Sequence, residues 1–113
     1  MNYTIKLYPT FKKQFKHLFK RYKSLETDTD LLVESLLKDP YQGADLGRGL
    51  RKIRMAISAK GKGKSGGARV ITLILAYSEE ESEIGLLYIY DKSERETLSD
   101  TELTELLRRN EIL

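Results

Sequence analysis

Arg69-Val70-Ile71-Thr72-Leu73-Ile74-Leu75-Ala76-Tyr77 is apolar at odd and even positions alike and rich in β-branched residues. That pattern describes a strand buried on both faces, so it is placed at the centre of a sheet. On its N-terminal side Leu50 to Ile57 alternates, with Ile53, Met55 and Ile57 on one side and Lys52, Arg54 and Ala56 on the other. On its C-terminal side Ile84 to Tyr90 is again apolar, after an acidic turn at Glu79 to Glu83. Short connections between consecutive strands favour antiparallel pairing.

Further out, Tyr3-Thr4-Ile5-Lys6-Leu7 alternates as a first strand and stops before Pro9. From Thr10 onward, Phe11, Phe15, Leu18, Phe19 and Tyr22 recur at helical spacing, with lysines between them. This stripe is read as core, not as a platform for nucleobases. A second helix, with Leu31, Leu32, Leu36 and Leu37, is opened by Asp28 or Thr29 and closed before Pro40. Residues 41–49 carry three glycines and read as a loop. Ser99-Asp100-Thr101-Glu102 fits a capping box and introduces Leu103, Leu106 and Leu107. The expected fold is α+β, β-α-α-β-β-β-α: one domain over residues 1–113, with helices packed on one face of an antiparallel sheet.

The chain has 113 residues and 40% hydrophobic content, which is room for one modest core. Its lack of cysteine excludes a disulfide framework, a thiolate zinc site and a cysteine nucleophile. Residues 1–7 lack a basic-then-apolar signal pattern, and no apolar run approaches the ~18 residues of a membrane span, so a cytoplasmic location without membrane partners is expected.

Charge is sorted along the chain. Residues 46–78 carry Arg48, Arg51, Lys52, Arg54, Lys60, Lys62, Lys64 and Arg69 and no acidic side chain, whereas residues 79–113 hold eleven acidic residues against four basic ones. A basic block of this kind attracts polyanions if the fold gathers it on one face. Within it lies Lys60-Gly-Lys-Gly-Lys-Ser-Gly-Gly67. The Gly63-Lys64-Ser65 tail resembles a nucleotide-binding P-loop, but position 58 is serine where that motif needs glycine, and a strand follows where it needs a helix. A flexible basic loop that meets an RNA backbone fits better. Strand pairing sets Lys52 and Arg54 near Arg69, three fixed cations suited either to holding a phosphate or to chemistry on one.

Leu50-Arg-Lys-Ile-Arg-Met-Ala56, the lysine loop with Ala68-Arg-Val-Ile71, and Leu86-Leu-Tyr-Ile-Tyr-Asp-Lys-Ser-Glu94 together resemble the core of RelE/ParE-superfamily toxins, most closely the RelE/HigB branch. The resemblance covers nearly the whole chain. It implies a toxin of a toxin–antitoxin pair: a ribosome-dependent mRNA endoribonuclease that enters the A site, blocks translation and is restrained by a cognate antitoxin with a helix-turn-helix. It further implies attack by the RNA's own 2′-hydroxyl, leaving a 2′,3′-cyclic end, with no metal and no cofactor. The single histidine, His17, stands on the first helix away from the basic strands, so a histidine acid–base pair is not expected.

By position in the family pattern Lys52, Arg54 and Arg69 are the candidate catalytic residues. Ser93 and Ser99 stand where the archetype has arginine and tyrosine, and Lys92 or Tyr90 is taken as the substitute. Arg48, Arg51, Lys60, Lys62, Lys64 and Tyr90 are the candidate RNA contacts. Two other classes compete: a noncatalytic inhibitor of DNA gyrase, resembling the ParE branch, and a noncatalytic nucleic-acid-binding module. Retained Lys52, Arg54 and Arg69 favour the nuclease.

Overall fold

A computed structural model describes residues 2–113; Met1 of the expected domain lies outside the described residues. The chain folds as a single α+β domain in the order β1 (Asn2–Leu7), α1 (Pro9–Phe19), α2 (Leu25–Lys38), β2 (Ala44–Gly47), β3 (Leu50–Met55), a 3₁₀ turn (Ser58–Lys60), β4 (Ala68–Ala76), β5 (Glu81–Asp91) and α3 (Asp100–Arg109). The sheet order is β1-β5-β4-β3-β2. As expected, β4 is central, flanked antiparallel by β3 and β5.

Three details differ from the sequence reading. First, β1 pairs with β5 in parallel, so the sheet is mixed. The helical hairpin of α1 and α2 carries the chain away from β1, which frees it from the antiparallel rule for neighbouring strands. Second, the 41–49 segment contains strand β2, joined to β3 by a two-residue turn in which Arg48 and Gly49 both have positive φ, 58° and 80°. An arginine in the left-handed region disguised that hairpin turn. Third, the helices lie on both faces of the sheet. α1 and α2 cover Ile53, Met55, Ala68, Val70, Ile84, Leu86 and Ile89, with Phe11, Leu18, Leu25, Leu32 and Leu36 as their contribution. α3 covers the other face with Leu103, Leu106 and Leu107 against Leu50, Ile71, Leu73, Leu87 and Tyr90. The two-sided apolar pattern of β4 had carried that information.

Local chemistry explains the element boundaries. Pro9 occupies the first turn of α1, where its missing N–H costs nothing. α2 starts at Leu25, earlier than the Asp28 or Thr29 cap suggested, with Ser24 at the N-cap position. Asp28 is instead buried, accepting bonds from the Ser24 hydroxyl (2.8 Å) and from the Ser58 N–H (3.0 Å) and hydroxyl (2.6 Å). It ties the helical hairpin to the turn after β3. The Ser99/Glu102 capping box of α3 is present in both directions. The acidic turn is shorter than expected, since Glu81 to Glu83 belong to β5 and Glu83 accepts from the Tyr8 (3.0 Å) and Tyr77 (3.1 Å) hydroxyls.

Gly67, just before β4, shows how tightly β3 and its extension pack against that strand. A Cβ there would lie 2.1 Å from the Met55 carbonyl oxygen, which is backbone and cannot step aside. Gly67→Ala is expected to cost about 1–3 kcal/mol, read as a lower urea midpoint at unchanged slope.

Candidate nucleic-acid interface

Because α3 covers only part of its sheet face, the far end of that face stays open. There Arg54 of β3 stands directly opposite Arg69 of β4, and Arg69 opposite Tyr90 of β5, in one row across three strands. Lys52, two residues along β3, shares the face. The open end is a cleft of about 690 Å³ lined by Lys52, Arg54, Lys64, Arg69 and Lys92, with Gln42, Gly43, Ala44, Ile53 and Glu96 completing its walls. All four residues singled out as catalytic candidates meet here, together with one lysine of the glycine-rich loop.

The five cations are held differently. Arg54 is exposed and has neither a hydrogen-bond nor an ion-pair partner among the described residues, so its whole guanidinium fork is available to a ligand. Lys52 donates to the Thr97 hydroxyl at 3.3 Å. Lys64 and Lys92 are exposed at the rim. Arg69 is only 5% exposed, and its guanidinium donates to the carbonyls of Lys64 (3.0 Å), Ser65 (3.2 Å) and Ala68 (3.1 Å). It therefore fixes the end of the lysine loop as well as adding charge to the cleft floor. Burial, and then the charge of Arg54 across the ladder, push the Arg69 pKa down. Like charges placed opposite each other repel, and an anion seated between them would relieve that repulsion.

The structure sends several other candidates elsewhere. Lys60 turns into the interior, where its ammonium meets Asp91 at 2.8 Å with side chains 8% and 0% exposed. The Tyr22 hydroxyl (2.9 Å) and the Ser93 N–H (2.9 Å) and hydroxyl (2.8 Å) also donate to Asp91. Burial alone would raise the Asp91 pKa; the Lys60 ammonium and the Ser93 and Tyr22 donors outweigh it and hold the carboxyl far below the usual carboxylate range. Lys60 is thus a buried anchor for the loop, and of the loop lysines only Lys62 and Lys64 stay exposed. Arg51 points away from the cleft, donating to the Gln42 (3.1 Å) and Gly43 (3.0 Å) carbonyls and facing Asp45. Arg48 sits in the β2–β3 turn and reaches Thr104 of α3 at 2.8 Å. Tyr90 is 3% exposed beneath the cleft. Its hydroxyl is buried beside Thr97 without a hydrogen bond of good geometry, and burial raises its pKa against the lowering influence of Arg69 and Arg95. Tyr90 thus lies under the floor and is largely closed to solvent. His17 is exposed on α1, and the aromatic stripe is core.

Sequence reasoning missed Gln42 and Glu96. Gln42 comes from the segment taken for a loop, and Glu96 from an acidic third taken for a solvated surface; no local pattern marks either. Among the described residues no helix is long and apolar enough to cross a membrane.

The sequence model of a family described as the RelE toxin of the RelE/RelB toxin–antitoxin system matches residues 9–112, a span that takes in β3, β4, β5 and every residue lining the cleft. The chain belongs to that family: it is a toxin of a toxin–antitoxin system, and its family implies a cognate antitoxin as partner.

Proposed function

We propose that this toxin is a ribosome-dependent mRNA endoribonuclease of the HigB type, acting in the cytoplasm, and that the open cleft holds the scissile phosphate. The observation that carries the reading is the convergence of Lys52, Arg54, Lys64, Arg69 and Lys92 in one cleft. Arg54 meets the two non-bridging phosphate oxygens as charge builds on them in the pentavalent transition state, where a fixed donor is worth more than in the ground state. Lys64 and Lys62 follow the RNA backbone on the loop side. Lys52 or Lys92 delivers a proton to the departing 5′-oxygen.

Dependence on the ribosome is part of this reading, and the open shape of the cleft supports it. The cleft opens to solvent and draws its cations from β3, β4, the glycine-rich loop and the segment after β5. In this reading the cleft holds the phosphate and leaves the turning of the 2′-oxygen, in line with the leaving oxygen, to the ribosome. That alignment is a large part of the barrier, and the decoding site is suited to supply it by bending the message. The antitoxin, expected to carry a helix-turn-helix, restrains the toxin in complex.

The test is primer extension on a reporter message in cells induced for the toxin. Cuts are expected within the translated frame and are expected to vanish when the start codon is removed. Cutting that ignores translation would favour a free-RNA nuclease, and growth arrest without cuts would favour the gyrase reading.

A further inference from the structure

The cleft gathers five cations and a single carboxylate, Glu96. Its acidic neighbours are engaged: Glu94 pairs with Arg21, and Glu102 with Arg95 and the Ser99 N–H (3.0 Å). Glu96 has no ion pair and no hydrogen bond among the described residues, although it shares the cleft wall with Lys52, Lys64 and Lys92. The residue that follows it is nevertheless held. The Thr97 carbonyl accepts from Arg95 Nε at 2.9 Å, and the Thr97 hydroxyl accepts from Lys52 Nζ at 3.3 Å. The segment bearing Glu96 is therefore tied to the floor residue Lys52 on one side and, through Arg95, to the N-terminus of α3 on the other.

Attack by a 2′-hydroxyl requires a group that takes its proton. Lysine and arginine in their charged forms only donate. Gln42 offers an amide oxygen, which hydrogen-bonds but does not carry a proton away. The phenol of Tyr90 is sealed under the floor. Of the described side chains that line the cleft, Glu96 is the one that is a base in its charged form.

Building on the nuclease reading above, we propose that Glu96 is the general base, a catalytic residue that removes the 2′-hydroxyl proton of the nucleotide before the cut. The Glu96 carboxylate accepts that proton as the 2′-oxygen forms its bond to phosphorus. The phosphorus–O5′ bond breaks, and the Lys52 or Lys92 ammonium protonates O5′. The products are a 2′,3′-cyclic phosphate and a 5′-hydroxyl end. Proton exchange with water then returns Glu96 to carboxylate and the lysine to ammonium, so the cycle closes without any co-reactant.

The experiment is single-turnover cleavage of a defined message on programmed ribosomes by the full chain and its E96Q variant, with ribosome affinity and thermal unfolding measured alongside. E96Q is expected to lower the rate by about 10²–10⁴-fold while affinity and unfolding temperature stay unchanged. The same comparison is then made on a message whose scissile O5′ is replaced by sulfur, a leaving group that needs no proton. The E96Q defect is expected to persist there, because the base still has its proton to remove. A rate loss below about tenfold on the ordinary message, or recovery of E96Q on the sulfur-containing message, overturns the assignment, the latter by marking Glu96 as the acid. A wild-type chain that makes no cut at all overturns the nuclease reading itself, so the two failures are distinguishable.

Discussion

Arg54→Ala is expected to abolish most cleavage without weakening the fold. The side chain is exposed, and no hydrogen bond or ion pair among the described residues depends on it, so its removal leaves no buried group unsatisfied. It also removes the like-charge repulsion across the ladder from Arg69, which favours a neutral or slightly stabilised protein. In the proposed role its fork meets phosphate oxygens whose charge grows in the transition state. Loss of one such preorganised donor typically costs ~10²–10³ in rate. Single-turnover rates beside urea unfolding curves give both numbers. Arg54→Lys is expected to recover only part of the rate, since an ammonium cannot span two phosphate oxygens. Arg69→Ala has a different expected signature, combining loss of rate with a loosened lysine loop, because its donors hold the carbonyls of Lys64 and Ser65.

Lys60→Met is expected to be the most destabilising of these changes, although Lys60 sits in a loop that reads as soluble and basic. The substitution keeps a side chain of similar length but strands the Asp91 carboxylate in the interior, and breaking a buried pair from one side typically costs about 3–5 kcal/mol. The pH dependence follows from the direction of the Asp91 shift. Its folded-state pKa lies below the unfolded value, so its contribution to stability is complete above the unfolded pKa of ~3.9 and is lost as pH falls below that value. Urea unfolding of the wild type between pH 6 and pH 3 is expected to show this loss, and Asp91→Asn is expected to flatten it. Cleavage by Lys60→Met under conditions where it remains folded is expected to be impaired only as far as the loop is displaced, since Lys60 itself faces away from the cleft.

The contrast between Arg54 and Lys60 marks where sequence reasoning reaches and where it stops. The central strand, the alternation of β3, the helical hairpin and the capping box of α3 were legible because each rests on a local period or spacing. The faces of the sheet were half legible. The two-sided apolar character of β4 demanded cover on both sides, yet the helices were assigned to one. The parallel seating of β1 depends on a partner 79 residues away, Asn2 against Glu81, and no local signal carries it.

At the site, the register of β3 against β4 was sufficient to bring Lys52, Arg54 and Arg69 together, as alternation alone implied. What a run of lysines and glycines cannot show is which lysine turns inward. That choice was made by Asp91 at the end of β5, with Ser93 beside it and Tyr22 from the helical hairpin, residues drawn from two distant parts of the chain. Glu96 was hidden for the opposite reason: one acid among eleven in the last third looks like solvated surface until the fold leaves it alone in a basic cleft.

The most direct measurement uses purified toxin, a defined message with a labelled 5′ end, and the same message bound in the A site of programmed ribosomes, with wild type and Arg54→Ala run in parallel. Cleavage by the wild type is expected on the ribosome only, with a 2′,3′-cyclic phosphate at the new 3′ end and a rate lower by ~10²–10³ for Arg54→Ala. Equal cleavage of the free message, or equal rates for wild type and Arg54→Ala on the ribosome, would contradict the proposed function.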